Sequence, residues 1–589
     1  MNCVCWLIIF FVLFLSLYHL VGVESDRDDD QQFCTIKSKS GLIRGKFNRT
    51  LFDEKPYYSF RGIPFAKPPI NERRFKAPEK IQPWNGTLDA FEFGNDCIQP
   101  DSEKQTFFGS EDCLYLNVFV PSDCSAINTT SKLPVMFYIF GGKFSFGTAR
   151  FYGPDFLIET NVIVVTFNYR VGPHGFLSLG LPEYSGNMAL KDQSLALKWI
   201  SANIEHFGGD KNNIVLFGHS SGASSVNLHM ISPQTNNLFQ RAIMMSGSAL
   251  NPFLPRHQDH SSILHHLAEN LHYPVTNKRD LIKFLNQIDG KLLSKMTFQN
   301  DHVPGFGRKT FNRIWTVCIE DYNATEPFIT QTPFDILTNH SYESNIDTLY
   351  SSSPKEFVLS HEQKQPELLK NFNNIFEIGF PLEMAQLDFD SEVYKNISRQ
   401  IRYFYFNEKH VNAETLNGFN TLITDINFLY GIYLSARIQA SKSNGRTFFS
   451  KFSVENEWNF SWRKAERSNF TADYAAHVDQ LYYVFRFSAY PDIFPDEAYQ
   501  TLKENSFPWQ IIKNITNFYA NFAKFKNPVP EKDPLQLISP ESDQWHYFSV
   551  TNEGIHPRAN PERHRITFWD NIFDQNKQQW NTTFNFHLA

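Results

Sequence analysis

Ile214-Val-Leu-Phe-Gly218-His-Ser220-Ser-Gly222-Ala-Ser-Ser-Val226 is the stretch on which the reading of this chain turns. Four apolar, strand-favouring residues run into Gly-x-Ser-x-Gly, and small residues suited to a helix follow. Strand, sharp turn and helix in that order describe a nucleophile elbow, in which a strained turn lifts a serine hydroxyl clear of a sheet. The same pentapeptide also describes a tight turn with a satisfied serine, so its surroundings have to carry the argument.

Working outward, Val135-Met-Phe-Tyr-Ile-Phe140 and Val162-Ile-Val-Val-Thr-Phe-Asn168 read as buried strands. Between Ser194 and His206, Leu195, Leu197, Trp199, Ile200 and Ile204 recur at near-helical spacing, and Gly208-Gly209 ends the helix. The alternation of strand and helix predicts an α/β fold with a mostly parallel sheet and right-handed crossovers. From about 251 to 328 and from about 363 to 448 the chain is polar and helix-leaning. With no Pro/Ser-rich linker to divide it, these regions are expected to be insertions after strands of one sheet, where loops wall a ligand site.

Of the 589 residues 42% are hydrophobic, enough for a sizeable core, and the net charge of -7 supplies no electrostatic reason to expect nucleic acid as a partner. Residues 1–25 carry the apolar run Trp6 to Leu15 and then small residues at Gly22 and Ser25, the pattern of a signal peptide. Its lack of a basic start leaves an uncleaved anchor as the alternative, and no second long apolar run follows, so no membrane span is expected after signal removal. Asn-x-Ser/Thr sequons begin at Asn48, Asn85, Asn128, Asn323, Asn339, Asn396, Asn459, Asn469, Asn514 and Asn581, a density that predicts a secreted, extracellular glycoprotein. Beyond the leader stand Cys34, Cys97, Cys113, Cys124 and Cys318. The number is odd, so at least one thiol is free or pairs between chains; the close pair Cys97 and Cys113 is the best disulfide candidate, and the spacings are unlike zinc ligand sets.

A serine hydroxyl is a poor nucleophile until a base takes its proton, so an elbow calls for a histidine and for an acid that orients it, in the chain order Ser, acid, His. Two later segments fit: Ser351-Ser-Ser-Pro-Lys-Glu356, and Ala475-Ala-His477-Val-Asp479-Gln-Leu-Tyr-Tyr-Val-Phe485.

Further segments carry a resemblance. They are Phe60-Arg-Gly-Ile-Pro-Phe-Ala-Lys-Pro-Pro69, Glu111-Asp-Cys-Leu-Tyr-Leu-Asn117, Asn168-Tyr-Arg-Val-Gly172, Gly186-Asn187 with Asp192-Gln193, Phe207-Gly-Gly-Asp210, Asn521-Phe-Ala523, Asn527-Pro528 and Phe568-Trp569. From about Ile36 to Asp574 the chain resembles the type-B carboxylesterases, the cholinesterase-like family of the α/β-hydrolase fold. The resemblance implies a mostly parallel central sheet with helices on both faces and helical insertions over the active site, with residues 26–589 forming a single α/β-hydrolase domain. It implies Ser220 as nucleophile, Glu356 as orienting acid and His477 as general base, a Cys97 to Cys113 disulfide, and no metal or organic cofactor.

The resemblance also places an oxyanion hole at the N–H groups of Gly142, Lys143 and Ser221. Four departures from the family pattern stand here. Ser221 replaces the usual alanine and keeps its N–H. Lys143 replaces a glycine, which at a left-handed position costs roughly 1–2 kcal/mol or moves the loop. His219 stands where an acid is usual, and no Trp lies between Cys97 and Cys113, so cationic substrates such as acetylcholine are disfavoured. The expectation is a secreted serine carboxylesterase acting on small, neutral, apolar esters. Its rivals are a catalytically impaired or silent adhesion or ligand-sequestering relative of the same fold, and a slow esterase that traps its ligand; the oligomeric state stays open.

Overall fold

The structure is a computed structural model that describes residues 32–101, 104–127, 132–252, 259–299, 314–339, 341–358, 391–467, 474–492, 494–500, 502, 506–530 and 545–580. The expected leader, residues 1–25, and the sequons at Asn128, Asn469 and Asn581 lie outside these residues.

A 13-stranded sheet runs through the described chain. At one edge Phe33–Ser38, Gly41–Arg49, Pro56–Pro64 and Tyr115–Val120 pair antiparallel, with Thr87–Asp89 alongside the second of them. Ile163–Phe167 joins this edge to Leu133–Ile139, and from there Gly209–His219, Arg241–Met245, Asp347–Ser352, Thr447–Phe452 and His546–Thr551 follow in parallel. Gly554–Ala559 closes the far edge antiparallel. Leu133–Ile139 is therefore the switch point: the next strand lies to one side of it and the elbow strand to the other, which opens a crevice at the carboxyl ends of both.

The expected strands and the helix before the elbow are present, with shifted ends. The helix spans Met188–Asn203 rather than starting near Ser194, because Met188 to Ser194 are all buried and show no polar face that a periodicity could register. A 3₁₀ turn over Ile204–Phe207 and a left-handed Gly208 finish it. The two insertions sit between consecutive sheet strands, as expected, carrying helices such as Ser261–Asn270 in the first and Glu392–Phe406 in the second. One correction concerns the end of the second. Residues 430 to 439 of helix Tyr430–Lys442 are buried throughout and pack on Asp347–Ser352 and Thr447–Phe452, so this part of the polar insertion is a layer of the core. Among the described residues no helix is long and apolar enough to cross a membrane.

Candidate active site

Three neighbouring parallel strands end at the crevice, and each delivers one part of the site. Gly209–His219 passes into helix Ser221–Ile231 through Ser220, whose φ of 59° and ψ of -126° make the turn. A non-glycine residue in that region is strained and persists where its surroundings over-determine it. Here the Ser220 N–H donates to Met245 O at 2.8 Å, and the Ser246 N–H donates to Ser351 O at 2.8 Å, so the turns after consecutive strands are tied to one another. Gly222 is required by close approach, since a Cβ there would fall 2.1 Å from Ile139 O. Ser220 is only partly buried, so its hydroxyl can be reached.

The turn after Asp347–Ser352 carries Glu356, 4% exposed. Its Oε1 accepts from Ser246 Oγ at 2.7 Å and from the Ser353 N–H at 2.6 Å, and its Oε2 lies 2.5 Å from His477 Nδ1. A main-chain bridge between Lys355 and Ala476 holds the two loops side by side. The carboxylate accepts, so Nδ1 carries the proton of the neutral ring and Nε2 is left as the basic nitrogen. Asp479 braces the histidine loop from below. It accepts from the Ala476 N–H at 2.7 Å and from the Ser461 N–H and Oγ at 2.8 and 2.6 Å, while burial pushes its carboxyl up to about 6. Ser220 Oγ forms no hydrogen bond to His477 in this structure; without a substrate such contacts are often long and tighten in the Michaelis complex.

Two side chains flank the His477 ring. The His219 ring lies 4.5 Å away, tilted 45°, and the Phe428 ring 4.6 Å away, tilted 50°. His219 Nε2 donates to the main-chain oxygen of His477 at 2.6 Å, and burial drives its pKa far below the usual imidazole value, so it is neutral. Phe428 is carried by a π-helical turn, Asp425–Leu429, whose loosened carbonyls at Asn427 and Phe428 accept from Asn251 Nδ2 at 2.6 and 3.0 Å. Such turns often mark functional positions. Ser246, Phe428 and Asn251 were not legible in the sequence, because nothing in local pattern marks a residue whose partner lies from about fifty to well over a hundred positions away. Phe357, the residue after the acid, donates its N–H to Thr424 Oγ1 at 3.1 Å.

The loop Phe140 to Gly147 lies against the elbow, close enough that a Cβ on Gly141 would meet His219 O at 2.4 Å. Gly142 has φ 124° and no room for a side chain, with Phe146 O 1.9 Å from where its Cβ would be. Lys143 follows at φ 60° and Phe144 at φ 61°, so of the two outcomes expected for Lys143 the loop keeps the left-handed backbone and carries the strain.

Both candidate cysteines pair, Cys97 with Cys113, and Cys34 pairs with Cys124 across 90 positions, leaving Cys318 free and buried. Of the sequons, Asn85, Asn323, Asn339, Asn396 and Asn514 are exposed and Asn48 is half-buried. Asn459 is 1% exposed. Its Nδ2 donates to Val454 O at 2.7 Å and its Oδ1 accepts from Tyr483 OH at 2.7 Å, so the folded chain has no room for a glycan there.

Comparison with known proteins agrees with this geometry. Residues 31–569 match the model of the carboxylesterase family. A juvenile hormone esterase of Tribolium castaneum is 33% identical over 559 residues, covering 90% of each chain. Esterase FE4 of Myzus persicae is 30% identical over 535 residues, covering 88% of this chain and 89% of the relative. Among solved structures, juvenile hormone esterase from Manduca sexta with OTFP covalently attached superposes with a TM-score of 0.75 at 25% identity, over 92% of this chain and all of the other.

Proposed function

The chain belongs to the carboxylesterase family, carboxylic-ester hydrolases of the α/β-hydrolase fold, and on that premise we propose that it is a secreted serine esterase that cleaves neutral, apolar esters through an acyl-enzyme on Ser220. Ser220 Oγ attacks the ester carbonyl while His477 Nε2 takes its proton. Glu356 holds the resulting imidazolium through Nδ1–H, and the N–H groups of Gly142, Lys143 and Ser221 receive the charge that develops on the carbonyl oxygen. His477 then returns the proton to the departing alcohol, and water deacylates the serine by the same route.

The observation that carries this reading is the 2.5 Å contact of Glu356 with His477, together with a serine held at φ 59° on a strand-to-helix turn whose neighbour His219 is bonded to the main chain of His477. A silent relative has no need to keep a buried, doubly anchored carboxylate on that histidine. Neutral substrates are favoured because the residue next to the nucleophile is an uncharged His219 and the ring over His477 is Phe428. Secretion draws support from two disulfides and five exposed sequons.

Labelling with a fluorophosphonate probe tests the proposal. Native protein is expected to label and Ser220→Ala protein not to. Native protein that resists the probe would overturn it. In the same preparation, hydrolysis of p-nitrophenyl butyrate is expected to exceed that of a choline ester, and the reverse order would defeat the neutral-substrate assignment.

A further inference from the structure

The turn that carries the oxyanion donors is an improbable one for its sequence. Gly142 O accepts from the Ser145 N–H at 2.9 Å and from the Phe146 N–H at 3.1 Å, closing a turn whose two central residues are Lys143 and Phe144. Both have positive φ, a combination met at low cost by Gly, Asn or Asp and disfavoured for a long or aromatic side chain. Two strained residues in succession hold only if something outside the turn dictates their conformation.

The restraints converge on Phe144. Its carbonyl accepts from the Gly172 N–H at 2.8 Å, its ring packs against Phe176 at 5.1 Å, and its N–H donates to Ser221 Oγ at 3.2 Å. The first restraint is main chain and the second apolar. The third depends on a single hydroxyl, and that hydroxyl sits on the residue whose own N–H is assigned to the oxyanion. Phe144 and Ser221 are both buried, so removing Ser221 Oγ takes from the Phe144 N–H the acceptor it has in the fold.

Resting on the hydrolytic reading above, we propose that Ser221 is a positioning residue: its hydroxyl locks the Gly142 to Ser145 turn in the left-handed conformation that Lys143 opposes, and so aligns the loop donors with its own N–H. The two unusual residues then act as a compensating pair, one straining the loop and the other restraining it.

A double-mutant cycle of Ser221→Ala and Lys143→Gly tests this. In the native background Ser221→Ala is expected to lower kcat on p-nitrophenyl acetate by about tenfold, the scale of one buried hydrogen bond, with KM within about twofold. In the Lys143→Gly background, where the turn is unstrained, the same change is expected to cost about threefold or less. Equal losses in the two backgrounds, or a loss seen in KM with kcat intact, would overturn the proposal. Melting temperatures of the four proteins give a readout free of turnover: non-additivity beyond about 1 °C is expected, and additive values count against the tie. Fluorophosphonate labelling of Ser220 separates the two claims. An unlabelled native protein sinks the hydrolytic reading while the melting cycle still decides the tie; a labelled protein with an additive cycle sinks the tie alone.

Discussion

His219 Nε2 lies 2.6 Å from the main-chain oxygen of His477, so the residue preceding the proposed nucleophile is bonded to the backbone of the proposed base. A carbonyl only accepts, which puts the proton on Nε2 of His219 and makes the ring a neutral donor. The tie links the elbow to the histidine loop across 258 positions of sequence.

Removing that donor frees the histidine loop on one side. His219→Ala is expected to lower kcat by about tenfold, while His219→Gln, whose amide nitrogen reaches a similar point, retains most of it. Steady-state kinetics on one neutral ester checks this; Ala and Gln variants of equal activity would show that the bond does not position the base.

Glu356→Gln leaves no arrangement of the amide that suits its neighbours. Oε1 faces two donors, Ser246 Oγ and the Ser353 N–H, and Oε2 faces His477 Nδ1–H, so an NH₂ at either place meets a donor. The expected loss in kcat is on the order of 10⁴, as for an orienting acid replaced by its amide in a serine triad. A loss smaller than tenfold would remove Glu356 from its assigned role.

Three buried imidazoles should subtract from stability on mild acidification. Burial pulls the imidazoles of His174 and His229 down to about 3 and that of His260 to about 4, from an ordinary 6.5. The native chain keeps them neutral while the unfolded chain binds protons below 6.5. Their stabilisation is therefore whole above that pH and declines as pH drops toward 4, by up to about 1.4 kcal/mol per unit for each. The carboxyls of Glu159, Asp425 and Asp479, raised by burial to about 7, 7 and 6, act in the opposite sense, so the comparison is with a variant. Between pH 7.5 and 4.5 the melting temperature of His229→Gln should fall less, or rise more, than that of the native chain, and an identical pH dependence would contradict the assignment.

The two disulfides should differ in worth. Cys34–Cys124 spans 90 positions and Cys97–Cys113 spans 16, so loop-closure entropy predicts roughly 4–5 kcal/mol for the first and about 3 kcal/mol for the second. Denaturant unfolding of the two double Cys→Ala variants compares them, and a larger loss for the short loop would show that strain or local packing outweighs chain entropy.

Among the sequons, Asn459 is expected to remain unmodified in glycopeptide maps of folded protein expressed through a secretory pathway, in contrast to the exposed Asn85 and Asn323. A glycan found on Asn459 would mean that the hydrogen bonds to Val454 and Tyr483 are not made.

The local chemistry of the chain determined a good deal by itself. Four β-favouring residues, a glycine-flanked serine and a run of small residues dictate strand, elbow and helix, because each preference acts within a few residues. The need for an acid and a base followed from the requirement that serine be activated, and the resemblance supplied their positions. The buried face of helix Met188–Asn203, the layer formed by residues 430 to 439, the π-helical turn under Phe428, and the bonds of Ser246 to Glu356, of His219 to His477 and of Ser221 to Phe144 were decided by tertiary structure. Their cause is common to all. A group buried on every side leaves no periodic trace, and a hydrogen bond between residues far apart in sequence exists only once the parallel strands have set their carboxyl ends in one row.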